Sequence, residues 1–98
     1  MQIDTTLTAG SLTVAVAGVI NELTTADLTE AVRDLTGIRQ LVFDLTRVRY
    51  VSSVGLRLFL LCQRTMNAMH GEMEIRGCNE FVLETFECVG FDRIMKLV

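Results

Sequence analysis

The chain has 98 residues, half of them hydrophobic and about a fifth charged, with a net charge of −3. That is enough apolar surface for one core without metal or disulfide staples, and the acidic balance argues against nucleic-acid binding. Its longest apolar stretch, Leu58–Cys62, falls far short of the roughly 20 residues a membrane helix needs. The start, Met1-Gln2-Ile3-Asp4-Thr5, lacks the basic and apolar regions of a signal peptide, so a cytoplasmic domain with no membrane contact is expected.

In chain order, Ile3–Leu7 reads as a strand ended by Ala9-Gly10. Ser11–Val16 alternates with period two and forms the second arm of a hairpin. Gly18 marks a turn or bulge. Thr24 or Thr25 is a suitable cap for a helix over Ala26–Leu35, whose Leu28, Ala31, Val32 and Leu35 share one face; Gly37 closes it. Leu41-Val42-Phe43 is a short strand covered on both faces, ending at Asp44. A long helix runs from about Val54 to Met69, capped by Ser52 or Ser53 and ended by a left-handed Gly71. Leu56, Phe59, Leu60, Met66 and Met69 face its core side.

Glu72–Arg76 alternates again, as a strand nearer an edge. Glu80–Cys88 suits a third helix stopped by Gly90, and Ile94–Val98 is a strand or a last packed turn. Phe91, Met95 and Leu97 there are core or a small exposed patch, so a monomer or weak homodimer is expected. Strand and helix signals alternate after Gly18, which gives an α/β domain with a largely parallel sheet.

Little here suggests catalysis. There is no P-loop and no Gly-x-Gly-x-x-Gly, and the single His70 sits at a helix end. Cys62, Cys78 and Cys88 lack the paired spacing of a zinc site and read as buried thiols in a reducing compartment. No cofactor or metal is expected.

Two features carry more information. Between Asp44 and Glu72 there is no acid but there are four arginines, Arg47, Arg49, Arg57 and Arg64, either a solvated face or a docking surface for an acidic partner or a phosphate. Within that stretch Ser52-Ser53 stands where a buried strand gives way to the long helix. A helix N-terminus offers unpaired N–H groups and the positive end of a dipole. A serine there either caps the helix or is offered outward, and a phosphate on Ser53 would meet those donors and Arg57 one turn on.

The run Asp44-Leu45-Thr46-Arg47-Val48-Arg49-Tyr50-Val51-Ser52-Ser53-Val54-Gly55-Leu56 resembles the signature of the STAS domain family, anti-sigma-factor antagonist type. Gly18-Val19-Ile20-Asn21 with Thr24-Thr25-Ala26, and Phe81-Val82-Leu83 with Val89-Gly90-Phe91-Asp92-Arg93-Ile94, are similar to other segments of that family in the same order. The resemblance implies a single-domain STAS-like fold over residues 1–98, with helices mainly on one side of the sheet. It implies an anti-sigma-factor antagonist in a phosphorylation-controlled partner switch in bacterial stress signalling. The partners would be an anti-sigma factor that is a GHKL-type serine kinase and a PP2C-type phosphatase, with Ser53 (or else Ser52) modified. Asn21, Ser52, Ser53, Val54, Gly55, Arg57 and Arg64 would form the contact. Ser52 and Asn21 stand where the family has aspartates, and Val54 replaces a small polar residue. The alternative implied role is a non-phosphorylated scaffold or transporter-associated accessory subunit acting by protein binding alone.

Overall fold

A computed structural model describes residues 2–98; Met1, part of the chain start considered above, lies outside the described residues. Strands β1 (Gln2–Thr8) and β2 (Ser11–Ile20) form an antiparallel hairpin. Then follow α1 (Glu22–Ala31), β3 (Gln40–Val51), α2 (Ser53–Ala68), β4 (Glu72–Arg76), α3 (Glu80–Cys88), a 3-10 turn over Phe91–Arg93, and β5 (Lys96–Leu97). The sheet order is β1-β2-β3-β4-β5, and every pairing after the hairpin is parallel.

Each crossover therefore steps to the adjacent strand in one direction, and right-handed connections of that kind put all the helices on one face. The core agrees. Val14, Val16, Leu41, Phe43, Met73 and Ile75, one alternating set from the strands, pack with Leu28 of α1, Phe59 and Met66 of α2, and Val82 and Phe86 of α3. A chain of rings crosses the layers: Phe43 to Phe59 at 4.9 Å, Phe59 to Phe86 at 5.6 Å, and Phe86 to Phe91 at 6.2 Å. Phe91 and Met95 belong to this core and Leu97 packs against it. The opposite face is mixed, with Val42 buried among polar side chains: Gln40 Nε2 donates to Glu74 Oε1 (3.3 Å), and Arg76 Nε donates to Glu74 Oε2 (2.6 Å), so the buried Glu74 carboxylate is paired.

Five expectations need correction or refinement. First, α1 starts at Glu22 and ends at Ala31, not Ala26–Leu35, and its cap is Asn21 rather than Thr24 or Thr25. Asn21 Oδ1 accepts from the N–H groups of Leu23 and Thr24, while Thr24 Oγ1 accepts from Asn21 N–H, a reciprocal capping box. At the far end Asp34 Oδ1 accepts from Thr36 N–H, so the chain has already turned out of the helix before Gly37; Val32 and Leu35 stay buried from the following loop.

Second, β3 does not stop at Asp44 but runs twelve residues to Val51. It gains residues on β2 at two irregularities, opposite Ala15–Ala17 and opposite Gly18–Val19, so Leu45, Val48 and Val51 reach the core at every third position. Third, β4 is near an edge as expected but is not itself the edge strand: it is one strand in, with the two-residue β5 outside it.

Fourth, the left-handed residue ending α2 is His70 (φ 59°), not Gly71. Gly71 is needed for space: a Cβ there would come 2.6 Å from Met66 Cε and 2.9 Å from the Arg39 carbonyl oxygen. Fifth, the buried face of α2 carries Leu58, Phe59, Cys62, Gln63 and Met66. Leu56 and Leu60 are only partly buried, and Met69 is exposed.

The hairpin turn, Ala9-Gly10, has positive φ at both residues (49° and 84°). That is the two-residue turn whose twist suits a hairpin, and Asn is far better tolerated than Ala at its first position. Ala9→Asn should therefore stabilise the domain by about 1 kcal/mol, seen in thermal unfolding as a rise of about 4–8 °C.

Candidate functional site

In a parallel sheet all strands end at the same edge, and here β2, β3 and β4 deliver their chains there to the first turns of α1, α2 and α3. The two serines meet at the centre of this rim and have opposite environments. Ser52 is buried: its Oγ accepts from Gly55 N–H (3.3 Å), its own N–H donates to the Ile20 carbonyl (2.8 Å), and its carbonyl accepts from Leu56 N–H (2.9 Å). Ser53, the first helical residue, is exposed.

Gly55 explains why the turn sits so close. A Cβ at that position would come 2.7 Å from Ile20 Cγ2 and 3.0 Å from Val51 Cγ1. Only glycine lets the first turn of α2 rest on the ends of β2 and β3. Asn21 is drawn to the same rim, its side-chain oxygen committed to capping α1.

Asp44, the first residue of the signature run, plays a local part. Its Oδ1 accepts from the hydroxyl (2.6 Å) and the N–H (3.0 Å) of Thr46, which holds the chain through the first irregularity of β3. Those hydrogen bonds from the Thr46 hydroxyl and backbone, in that order, hold the carboxyl below its ordinary pKa.

The arginines do not form one patch. Arg57 lies one helical turn beyond Ser53 on the same face, and Arg64 is exposed further along, about 16 Å from Ser53 along the axis at 1.5 Å per residue. Arg47 lines a shallow groove on the open sheet face with Gln2, Asp4, Asp44 and Thr46, away from the helices. Arg49 is exposed on β3. Among the described residues the ion pairs are Arg33–Glu30 and Arg76–Glu74, so none of these four arginines is paired within the chain.

Sequence reasoning missed most of the rim's apolar surface. Leu23, Val54 and Phe81 each occupy the second position of a helix, and they are 85%, 41% and 57% exposed. Tyr50, near the end of β3, stacks on Phe81 with ring centroids 6.5 Å apart. Of these, only Val54 was expected at a contact. The available signal was position: a large apolar residue directly after a cap cannot reach the helix's buried face.

His70 lies at the opposite end of α2, and among the described residues no group of three or more His, Cys, Asp or Glu side chains is arranged to hold a metal ion. The thiols are not all buried as expected. Cys62 is, and burial pushes it up to about 12; Cys78 is half-buried and pushed up to about 11; Cys88 is exposed. A thiol-reactive reagent at pH 8 should therefore label Cys88 rapidly in the folded protein and all three only after denaturation.

Comparison with known proteins gives a consistent picture. The family profile described as "Mlab, STAS domain" matches residues 3–98. BtrV of Bordetella bronchiseptica, provisionally named an anti-sigma factor antagonist, is 34% identical over 84 residues, covering 84% of this chain and 72% of BtrV. In fold, the chain matches the anti-sigma factor antagonist SpoIIAA in its unphosphorylated form with a TM-score of 0.87 at 14% identity, covering 99% of this chain and 88% of that one. An anti-sigma factor antagonist from Mycobacterium paratuberculosis matches with a TM-score of 0.86 at 21% identity, covering 98% and 83%.

The two serines can be told apart by stability. Ser52→Ala should cost about 1 kcal/mol by removing the cap, whereas Ser53→Ala should stay within about 0.5 kcal/mol; chemical denaturation of the two variants measures both.

Proposed function

The chain belongs to the STAS domain family, and on that footing we propose that it is an anti-sigma-factor antagonist controlled by phosphorylation of Ser53. In this reading the unmodified rim binds an anti-sigma factor that is a GHKL-type serine kinase, releasing a sigma factor in the bacterial cytoplasm. The kinase ends the capture by modifying Ser53, and a PP2C-type phosphatase restores it.

One observation carries the proposal. Ser53 offers an exposed hydroxyl at the first position of α2, bordered by the exposed Val54 and flanked on the same rim by Leu23, Tyr50 and Phe81. Such apolar and aromatic side chains are what a docking surface uses as anchors. Ser52, sealed beneath the turn, is a poor substrate by comparison. Asn21, Gly55 and Val54 shape the rim, Arg57 stands beside the hydroxyl, and Arg64 extends the contact along α2.

Charge gives the switch its direction. α1 and α3 each begin with a glutamate, Glu22 and Glu80, while α2 begins with Ser53. A phosphate would add about −2 at the one uncharged helix start, and an apolar or acidic partner would have to desolvate it.

A second reading has a specific observation in its favour. Asn21 and Ser52 stand where the family has aspartates, so neither of those two positions carries a carboxylate. The same rim would then bind its partner constitutively, as in a scaffold or transporter-associated subunit.

The test is incubation with the candidate kinase and ATP, mass-spectrometric mapping of the phosphate, and binding measurements on variants. One phosphate on Ser53 is expected, with Ser53→Ala binding as the native protein does and Ser53→Asp weaker by at least about tenfold, or 1.4 kcal/mol. Phe81→Ala should weaken binding by about the same factor. Unchanged binding by Ser53→Asp, or a phosphate elsewhere, would defeat the switch; retained binding with no phosphorylation would favour the constitutive reading.

A further inference from the structure

The sheet has two free edges of unlike character. β5 is only two residues long and carries Lys96, while β1 offers seven residues, Gln2–Thr8, paired with β2 on one side only. Natural sheets protect an exposed edge by shortness, lysine, proline or a bulge. β5 uses the first two. β1 has seven residues with no lysine or proline and an unbroken register with β2, and its one charged side chain is Asp4.

The turn fixes which backbone groups are free. A two-residue turn at Ala9-Gly10 makes Thr8 and Ser11 the closing hydrogen-bonded pair, so Thr8, Thr6, Asp4 and Gln2 direct their groups to β2. The N–H and C=O groups of Ile3, Thr5 and Leu7 therefore point outward. Their side chains lie on the helix-covered face, opposite Val16, Val14 and Leu12. Ile3 packs against the core, while Leu7 is 65% exposed.

We propose that β1 pairs antiparallel with β1 of a second copy of this chain, about a twofold axis at Thr5. The strand is self-complementary in that register. Thr5 faces Thr5, Ile3 faces Leu7 of the second copy, Asp4 faces Thr6 and Gln2 faces Thr8. All three outward-facing residues find hydrogen-bonding partners, and the exposed Leu7 gains an apolar neighbour. Other registers lose this match. Centring the axis on Asp4 opposes two carboxylates; centring it on Thr6 takes Ile3 past the end of the strand, to the turn residue Ala9. A slip of one residue pairs outward groups with inward ones.

The result is one ten-stranded sheet with the helices of both copies on the same face. Because β2, β3 and β4 run in opposite directions in the two copies, their Ser53 rims stand at opposite ends, both clear of the contact. The association is thus independent of the proposed switch.

Light scattering coupled to size-exclusion chromatography, over a concentration series, reads the outcome. The mass of the native protein should climb from 10.9 kDa toward twice that value. Thr5→Pro removes an outward N–H without touching the ladder to β2, and Thr5→Lys brings two ammonium groups together at the axis. Both should hold the monomer mass at the highest concentration, with circular dichroism unchanged. Thr6→Lys, facing Asp4 of the second copy, should keep or strengthen the dimer. A native protein that stays at monomer mass throughout, or a dimer that survives Thr5→Lys, would overturn the proposal; the lysine variant decides if the proline variant fails to fold.

Discussion

The rim depends on how closely the first turn of α2 approaches the ends of β2 and β3. Gly55 makes that approach possible, because any larger residue would collide with Ile20 and Val51, both buried in the core. The same approach lets Ser52 donate its N–H to Ile20 and close the turn with its hydroxyl. Once Ser52 is used inward, the next residue must leave on the solvent side. Two adjacent serines of identical chemistry thus acquire different fates: one closes the turn, and the other is left exposed to solvent.

The length of β3 has a second consequence. Its pairing with β4 ends at Asp44–Arg76, yet it continues beside β2 to Val51. The projecting half is flanked by the chain entering α3: Asn79 Nδ2 donates to the Val48 carbonyl, and a Cβ at Gly77, itself at φ 75°, would run into the Thr46 hydroxyl. This contact carries Phe81 to Tyr50. The aromatic pair therefore follows from the same bulged strand that places Ser53, and the apolar and hydroxyl parts of the rim are built by one piece of backbone.

These particulars explain what could be read from the residues. Hairpin, third helix and the start of α2 were legible because each has a local cause: Ala9-Gly10 turns, Glu80–Cys88 is amphipathic, and Ser52-Ser53 precedes a long apolar periodicity. The second half of β3 was not. Two irregularities against β2 convert its buried positions to every third residue, a spacing that matches neither strand nor helix. The start of α1 was obscured because Thr24 looks like a cap while acting as the reciprocal partner of Asn21. The exposed apolar rim was invisible for a related reason. Composition marks Leu23 and Phe81 as core residues, and only the position of the caps shows that they cannot reach it.

Under the function proposed above, the setting of Ser53 bears on what kind of switch would operate. Its side chain leaves the first turn of α2 toward solvent, so a phosphate would displace no packed group. The N-terminal dipole favours negative charge, and Arg57 is one turn away. Within α2, the modified helix start would be at least as well satisfied electrostatically as the unmodified one. The cost arises only when a partner tries to cover the rim, because Leu23, Tyr50, Val54 and Phe81 invite an apolar surface that could not solvate the phosphate. Control of that kind resides in the price of desolvation at a fixed surface, and it requires no second conformation of the domain.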